Sequence, residues 1–401
     1  MGAERATVLS TETFPAGFAW GVSIGAHQSE GNNIASDWWY RETRPNSPVA
    51  ESCGDGIDSY HRWREDLDLT AAAGFTDYRC GVEWSRIEPA DGRISRAEVG
   101  HYRRIVSGAA ERGLRPTLTL HHFALPLWFA AAGGWARPDA VDRFLGYLDA
   151  LAPVFDAGAV RVMTINEPNI VAVFPRLGPE GLGSGGLPVP DPDVTRIIID
   201  VHRAAVAHLR DRHPQLQVGW GVSIQDYQAE PAAEADTEAY CEPRDQVFMR
   251  ASAGDDYIGV QTYTRGRIGP GGNPVDDPAV PRTLTGWEYY PQALGGAVRR
   301  VARVLPGTPI IVTENGLATA DDAQRIEYTT GALLSLRAAM DDGADVRGYF
   351  HWSLLDNWEW GHWEPTFGLI AVDRATFDRS PKPSLRWLGA LTPAPATVRS
   401  I

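Results

Sequence analysis

Eight short apolar runs constrain this chain more than any other feature, because each is rich in β-branched and aromatic residues and most lead through a turn into a longer helix-patterned stretch. They are Phe18 to Gly25, Phe75 to Trp84, Arg115 to His122, Val160 to Glu167, Gln217 to Ile224, Asp256 to Tyr263, Pro309 to Gly316 and Val346 to Leu354. Runs this short with so little polar interruption fit strands covered on both faces, as in a parallel sheet. The intervening stretches Tyr102 to Arg112, Val141 to Phe155, Thr195 to Arg212 and Ala323 to Asp341 carry apolar residues at helical spacing. Strand and helix alternating in this way predict an α/β fold, a (β/α)8 TIM barrel forming a single domain over residues 1–401. A bare barrel needs about 250 residues, so the surplus is expected in extended βα loops at the C-terminal face. The Gly/Pro-rich stretches Pro175 to Pro192 and Gly266 to Pro281 lie between patterned segments and do not divide the chain.

Charge and composition exclude several functions. The formal net charge is −14, with no basic stripe to attract a phosphate backbone or anionic lipid, so neither a nucleic-acid nor a membrane partner is expected. Cys53, Cys80 and Cys241 form no C-x-x-C pair, which argues against a disulfide framework and a cysteine zinc site. The N-terminal text MGAERATVLSTETFPAGF lacks the unbroken apolar core of a secretory signal, and a cytoplasmic protein is expected. Lys382 is the only lysine. A Schiff-base lysine on a barrel strand and a P-loop lysine are therefore both missing.

Polar residues gather at the C-terminal ends of the apolar runs: His27, Gln28 and Glu30 after the first, His121 and His122 at the third, Asn166 and Glu167 at the fourth. Tyr263, the pair Glu314 and Asn315, and Trp352 end the sixth, seventh and eighth. In a closed barrel these ends meet at one rim, where the fold places its chemistry. Glu167 in TINEP and Glu314 in VTENG then stand across the mouth from each other. Two such carboxyl groups can cleave a glycosidic bond, one protonating the leaving oxygen while the other attacks the anomeric carbon at a separation of about 5–5.5 Å; about 6.5–9.5 Å would seat a water and invert the product. Taken singly, a strand ended by Pro and a tight Asn-Gly turn would explain the two tripeptides. Their joint placement at two strand ends is the stronger signal. His121 and His122 could ligate a metal, but no H-x-H or H-E-x-x-H spacing exists, so neither metal nor other cofactor is expected.

The text FPAGFAWG, DSYHRWREDLDL, VEWSRIEP, TINEP, VTENG, WSLLDNWEW and FGLIAVD resembles glycoside hydrolase family 1, the retaining β-glucosidase and β-galactosidase type, over nearly the whole chain. The resemblance implies that Glu167 is the general acid and then base, and that Glu314 is the nucleophile. It places Arg79 and Tyr263 beside Glu314, and Gln28, His122, Asn166, Glu359 and Trp360 around the sugar with Trp352 as the platform beneath it. The charge of Glu314 is expected to raise the pKa of Glu167. Asn166 suits the 2-hydroxyl, where hydrogen bonds strengthen as oxocarbenium character develops.

The implied substrate is a small-molecule β-glycoside or oligosaccharide, with β-glucoside ahead of β-galactoside and β-fucoside. The loop EWGHWEPTFG holds Glu359 and no lysine or arginine, which favours an unphosphorylated sugar. Four features depart from the family text, one of them Gln28-Ser29-Glu30-Gly31-Asn32 in place of Q-I-E-G-A. Phe123 stands where an indole is usual, Gln261-Thr262-Tyr263 replaces Asn-Tyr-Tyr, and the Glu359 loop is one residue shorter than the common form. They bear on the glycone and aglycone, whereas the two glutamates are intact. A transglycosylase using the same residues and a glycan-binding barrel without turnover are the rival readings. The pattern does not specify an oligomeric state.

Overall fold

The computed structural model describes residues 9–176 and 187–394; residues 177–186, inside the Gly/Pro-rich stretch Pro175 to Pro192, lie outside them. Eight strands close a barrel: β1 (Ala19–Ile24), β2 (Asp77–Gly81), β3 (Arg115–Thr119), β4 (Arg161–Asn166), β5 (Gln217–Ser223), β6 (Tyr257–Gln261), β7 (Ile310–Asn315) and β8 (Val346–Trp352). Their order around the ring follows the chain, and neighbours are parallel throughout, with Trp20 opposite Tyr349 where β1 meets β8. Each apolar run read from the sequence contains one of these strands. Every residue of β1, β2, β4, β6 and β7 is buried, which is why the runs show no polar alternation.

The inside of the ring is packed. Ala19, Tyr257, Ile311 and Phe350 form a cluster separate from the main core, and the Tyr257 hydroxyl crosses to the Val162 carbonyl of β4 at 3.0 Å. Gly21 makes room for this layer, since a Cβ there would lie 2.5 Å from the Phe350 ring. At the N-terminal ends of the strands, Asp77 receives Arg161 at 2.7 Å, Arg115 at 2.5 Å and the Thr76 hydroxyl at 2.7 Å. This fully buried carboxylate therefore ties β2, β3 and β4 together at the end opposite the mouth.

The helices extend the sequence reading at their starts. The stretch read from Tyr102 begins at Arg96, where the Ser95 hydroxyl caps the Glu98 amide; the charged first turn hides it from an apolar period. The stretch read from Thr195 begins at Pro192, behind an Asp191 cap on the amides of Asp193 and Val194. Val141 to Phe155 is divided into Ala140–Ala150 and Ala152–Phe155, because Pro153 cannot donate the backbone bond that would continue the first helix. Gly266 to Pro281, patterned as a connection, contributes Arg265–Gly269 and Asn273–Val275 to a small three-stranded sheet with Asp226–Ala229. No helix among the described residues is long and apolar enough to cross a membrane.

Candidate active site

Both glutamates are presented by interrupted backbone. The β4 pairing with β5 shifts register between Met163 and Asn166, and the β7 pairing with β6 shifts between Val312 and Glu314. Irregularities of this kind re-aim a side chain at a strand end. Glu167 itself has a left-handed backbone, φ 45°, as the residue before the short helix Pro168–Val171. Its amide bonds the Gly221 carbonyl at 2.7 Å, and Asn169 bonds both backbone groups of Ser223 at 2.8 and 3.1 Å. The strained residue is thus held from β5. Phe123 and Trp360 also have positive φ, 67° and 44°, so three residues of this rim adopt a conformation that non-glycine residues hold only when their surroundings enforce it.

Glu314 is buried and its oxygens are differently occupied. Oε1 accepts from Arg79 at 2.6 Å and from the Gln261 amide at 2.8 Å, whereas Oε2 accepts from the Tyr263 hydroxyl at 2.6 Å. The Arg79 guanidinium also bonds Thr119 Oγ1 at 2.9 Å, the Thr313 carbonyl at 3.2 Å and Asn166 Oδ1 at 2.6 Å. A buried cation and two further donors thus occupy both oxygens of Glu314. Burial, followed by the Glu314 charge, pushes the Tyr263 phenol well above its usual range, so it remains a donor.

Glu167 is pushed the other way. Burial comes first and the Glu314 charge second, and together they raise its carboxyl to about 8, against a lowering hydrogen bond from Ser223 and the Arg79 charge. The expected direction therefore appears, but desolvation outranks the charge of its partner. Near neutral pH the Glu167 carboxyl keeps its proton, beside a Glu314 whose oxygens face a guanidinium and two further donors. This is the division of labour that an acid and a nucleophile require.

The remaining residues read from the sequence line the same mouth. Trp352 Nε1 donates to Glu359 Oε1 at 3.1 Å, and Gln28 Nε2 donates to the Trp358 carbonyl at 2.9 Å, to Asn357 Oδ1 at 3.1 Å and to Glu359 Oε2 at 3.4 Å. His122 lies 5.7 Å from the Trp352 ring and 5.8 Å from Trp360. Burial and then the Arg79 charge hold His122 well below the usual imidazole range, leaving it neutral. Gln28 Oε1, His122 Nδ1 and Gln261 Oε1 are buried without a hydrogen-bond partner. Polar atoms in that condition are costly unless a ligand hydroxyl satisfies them. Glu359, read as a charged acceptor, sits where burial pushes its carboxyl well above the usual range and the Glu314 charge adds to it.

All ten residues, Glu167, Glu314, Arg79, Tyr263, Gln28, His122, Asn166, Trp352, Glu359 and Trp360, thus converge on one end of the barrel. The motifs placed Gln261 at the sugar site only as a departure from the family text, without its bonds to Asn166 and Glu314, and did not place Ser223 or Thr119 there. Gln261 had a signal, the departure from Asn two residues before Tyr263; Ser223 and Thr119 are short polar residues inside apolar runs and had none. His121, weighed as a metal ligand, is buried against Trp135 at 5.1 Å, and burial lowers it to about 3. Among the described residues no group of three or more His, Cys, Asp or Glu side chains could hold a metal ion.

Comparison with known proteins agrees with this geometry. The family model described as Glycosyl hydrolase family 1 matches residues 10–266 and 261–394. A solved structure of beta-glycosidase BGL167 superposes with a TM-score of 0.87 and 39% identity, covering 97% of this chain and 100% of that one. Beta-glucosidase A of Thermotoga maritima is 26% identical over 94% of this chain and 97% of its own length. The bifunctional beta-D-glucosidase/beta-D-fucosidase of Bifidobacterium breve is 29% identical over 94% and 97%.

Proposed function

The chain belongs to glycosyl hydrolase family 1, and from that premise we propose that it hydrolyses unphosphorylated β-glycosides, β-glucosides first, with Glu314 as nucleophile and Glu167 as acid and base. It is an O-glycosyl hydrolase of the retaining type. The observation that carries the residue assignment is the contrast between the two carboxyls: Glu314 held on both oxygens by Arg79, Gln261 and Tyr263, and Glu167 raised to about 8 beside it.

In the first step a Glu314 oxygen bonds to the anomeric carbon as the bond to the aglycone oxygen breaks, and that oxygen takes the Glu167 proton. Forming the ester removes the charge of Glu314, so the influence that helped raise Glu167 disappears and its carboxylate can accept a proton. Glu167 then deprotonates a water whose oxygen attacks the same carbon, releasing the sugar and restoring the Glu314 carboxylate. A sugar hydroxyl in place of that water, giving its proton to Glu167, yields transglycosylation with the same groups.

The unpartnered Nδ1 of neutral His122 and Oε1 of Gln28, with the Trp352 and Trp360 rings, suit a sugar with both hydroxyls and an apolar face. The EWGHWEPTFG loop beside this pocket brings no lysine or arginine to receive a phosphate substituent. The names of the relatives support β-glucosides, and the Bifidobacterium breve relative adds β-fucosides to the substrates worth assaying. The test is a panel of nitrophenyl β-glucoside, galactoside, fucoside and xyloside, with the anomer of the first-formed sugar read by NMR. Trapping with a 2-deoxy-2-fluoro-β-glucoside should label the peptide carrying Glu314. A label on any other residue removes the nucleophile assignment. Glu167→Ala should slow turnover by about 10²–10⁴ with poor leaving groups and far less with dinitrophenolate; equal losses on both would remove Glu167 as the acid.

A further inference from the structure

Behind the sugar-facing residues lies a polar pair that takes no part in the chemistry above. His27, in the turn of helix Ala26–Glu30 after β1, and Glu42, in helix Asp37–Thr43, are both buried and meet through Nε2 and Oε1 at 2.8 Å. The other ring nitrogen, Nδ1, lies 3.0 Å from Asn33 Nδ2. The Asn33 amide is oriented by the Ser85 hydroxyl, which donates to its oxygen at 2.6 Å. Asn33 therefore donates to Nδ1, and Nε2 carries the proton that reaches Glu42. Both edges of the His27 ring are fixed, and its face lies parallel to the Trp360 indole, 6° between planes at 5.8 Å.

The second oxygen of Glu42 completes a circuit. It accepts from the Cys53 amide at 2.8 Å and the Ser52 hydroxyl at 3.1 Å. The preceding residue, Glu51, donates its amide to the Gly361 carbonyl at 2.9 Å and accepts the Trp358 indole N–H on its carbonyl at 2.8 Å. The path from His27 through Glu42, residues 51–53 and Gly361 thus returns to Trp360, which stacks on His27. Trp360 needs such a support, because its backbone is left-handed and its side chain is only half buried.

We propose that His27 and Glu42 form a positioning pair that fixes the plane of the Trp360 indole, and through it the grip of the pocket on the sugar. The pair touches no reacting atom. Its loss should weaken substrate binding and leave the glutamate chemistry at each competent site close to normal. The inference rests on the reading of Trp360 as a sugar-facing residue.

The experiment measures KM and kcat on nitrophenyl β-glucoside, with competent sites counted by stoichiometric trapping on a 2-deoxy-2-fluoro-glucoside. Glu42→Leu should raise KM about tenfold, with kcat per trapped site within about twofold. Glu42→Gln keeps an oxygen for the His27 proton and should recover most of the KM. His27→Phe retains a ring against Trp360 without the two polar edges; it should raise KM as Glu42→Leu does, and it serves if that variant fails to fold. Wild-type KM in the variants that fold, whatever their melting temperature, would overturn the proposal and leave the pair a structural one. Trp360→Phe separates the two levels. If it leaves KM unchanged, the sugar-facing reading fails and the inference with it; if it raises KM while His27→Phe does not, the inference alone fails.

Discussion

Asn166 and Glu314 accept hydrogen bonds from the same two side chains: Arg79 and Gln261 each bridge Asn166 Oδ1 and Glu314 Oε1. Two donors shared by two acceptors fix the Asn166 amide with its Nδ2 turned away from the clamp. They also leave Glu314 Oε2 with the Tyr263 phenol alone. Gln261→Met preserves length and removes the donor. Its kcat/KM on a β-glucoside should fall about 10–100-fold, the range for a hydrogen bond to a charged group. If the clamp orients Asn166 toward the 2-hydroxyl, the loss on the 2-deoxy-β-glucoside should be clearly smaller. Equal losses on the two substrates would show that Gln261 serves Glu314 only.

Glu167, with its carboxyl at about 8, must hold its proton when substrate arrives. The alkaline limb of kcat/KM should therefore fall near pH 8, since that limb reports the essential acid of the free enzyme. Replacing Glu314 by Gln removes the second cause of the shift and leaves burial in place. In that variant the Glu167 carboxyl, followed by its carbon resonance, should titrate below its wild-type value yet above an ordinary glutamate. An unchanged titration would mean that the two carboxyls do not sense each other.

The same shift has a stability consequence of fixed sign. A folded-state pKa of about 8 against an unfolded value near 4.3 means that the folded state binds the proton more tightly. Its stabilising contribution is complete below the unfolded value and is lost as pH rises through the folded one. Glu167→Gln mimics the protonated form at every pH. Its melting temperature should match wild type near pH 4 and exceed it increasingly between pH 5 and 9; a difference independent of pH would contradict the raised pKa.

The eight strands were legible because burial on both faces writes each one as an apolar run, and the two glutamates because both stand at run ends. The clamp was not. Gln261 and Thr119 are the last residues of β6 and β3 but fall within the longer apolar runs, and only a closed ring shows that they face Arg79 and Glu314. The same holds for His27 and Glu42, 15 residues apart in segments with no common period. Neither register shifts at Asn166 and Glu314 nor a left-handed Glu167 leaves a local composition signal. They follow from how the strands pair.

Asp77 supplies a test that separates the frame from the chemistry. Its carboxylate is fully buried at the closed end of the barrel, with Arg161 on one oxygen and Arg115 on the other. Removing one partner of such an ion pair leaves an uncompensated charge and costs about 3–5 kcal/mol, more than the pair itself contributes. Asp77→Ala strands two guanidinium groups, and Arg161, the more buried of the two, bears most of that cost. The melting temperature should fall by several degrees, because a barrel of this length shifts by roughly 2–4 °C per kcal/mol or less. Activity per trapped site should remain near wild type, since Arg79, two residues further along β2, makes its bonds at the mouth to Glu314, Asn166 and Thr119. A drop in turnover per site with little change in melting temperature would mean that strain at the base reaches Arg79 along β2, and that the clamp on Glu314 depends on the whole length of the strand.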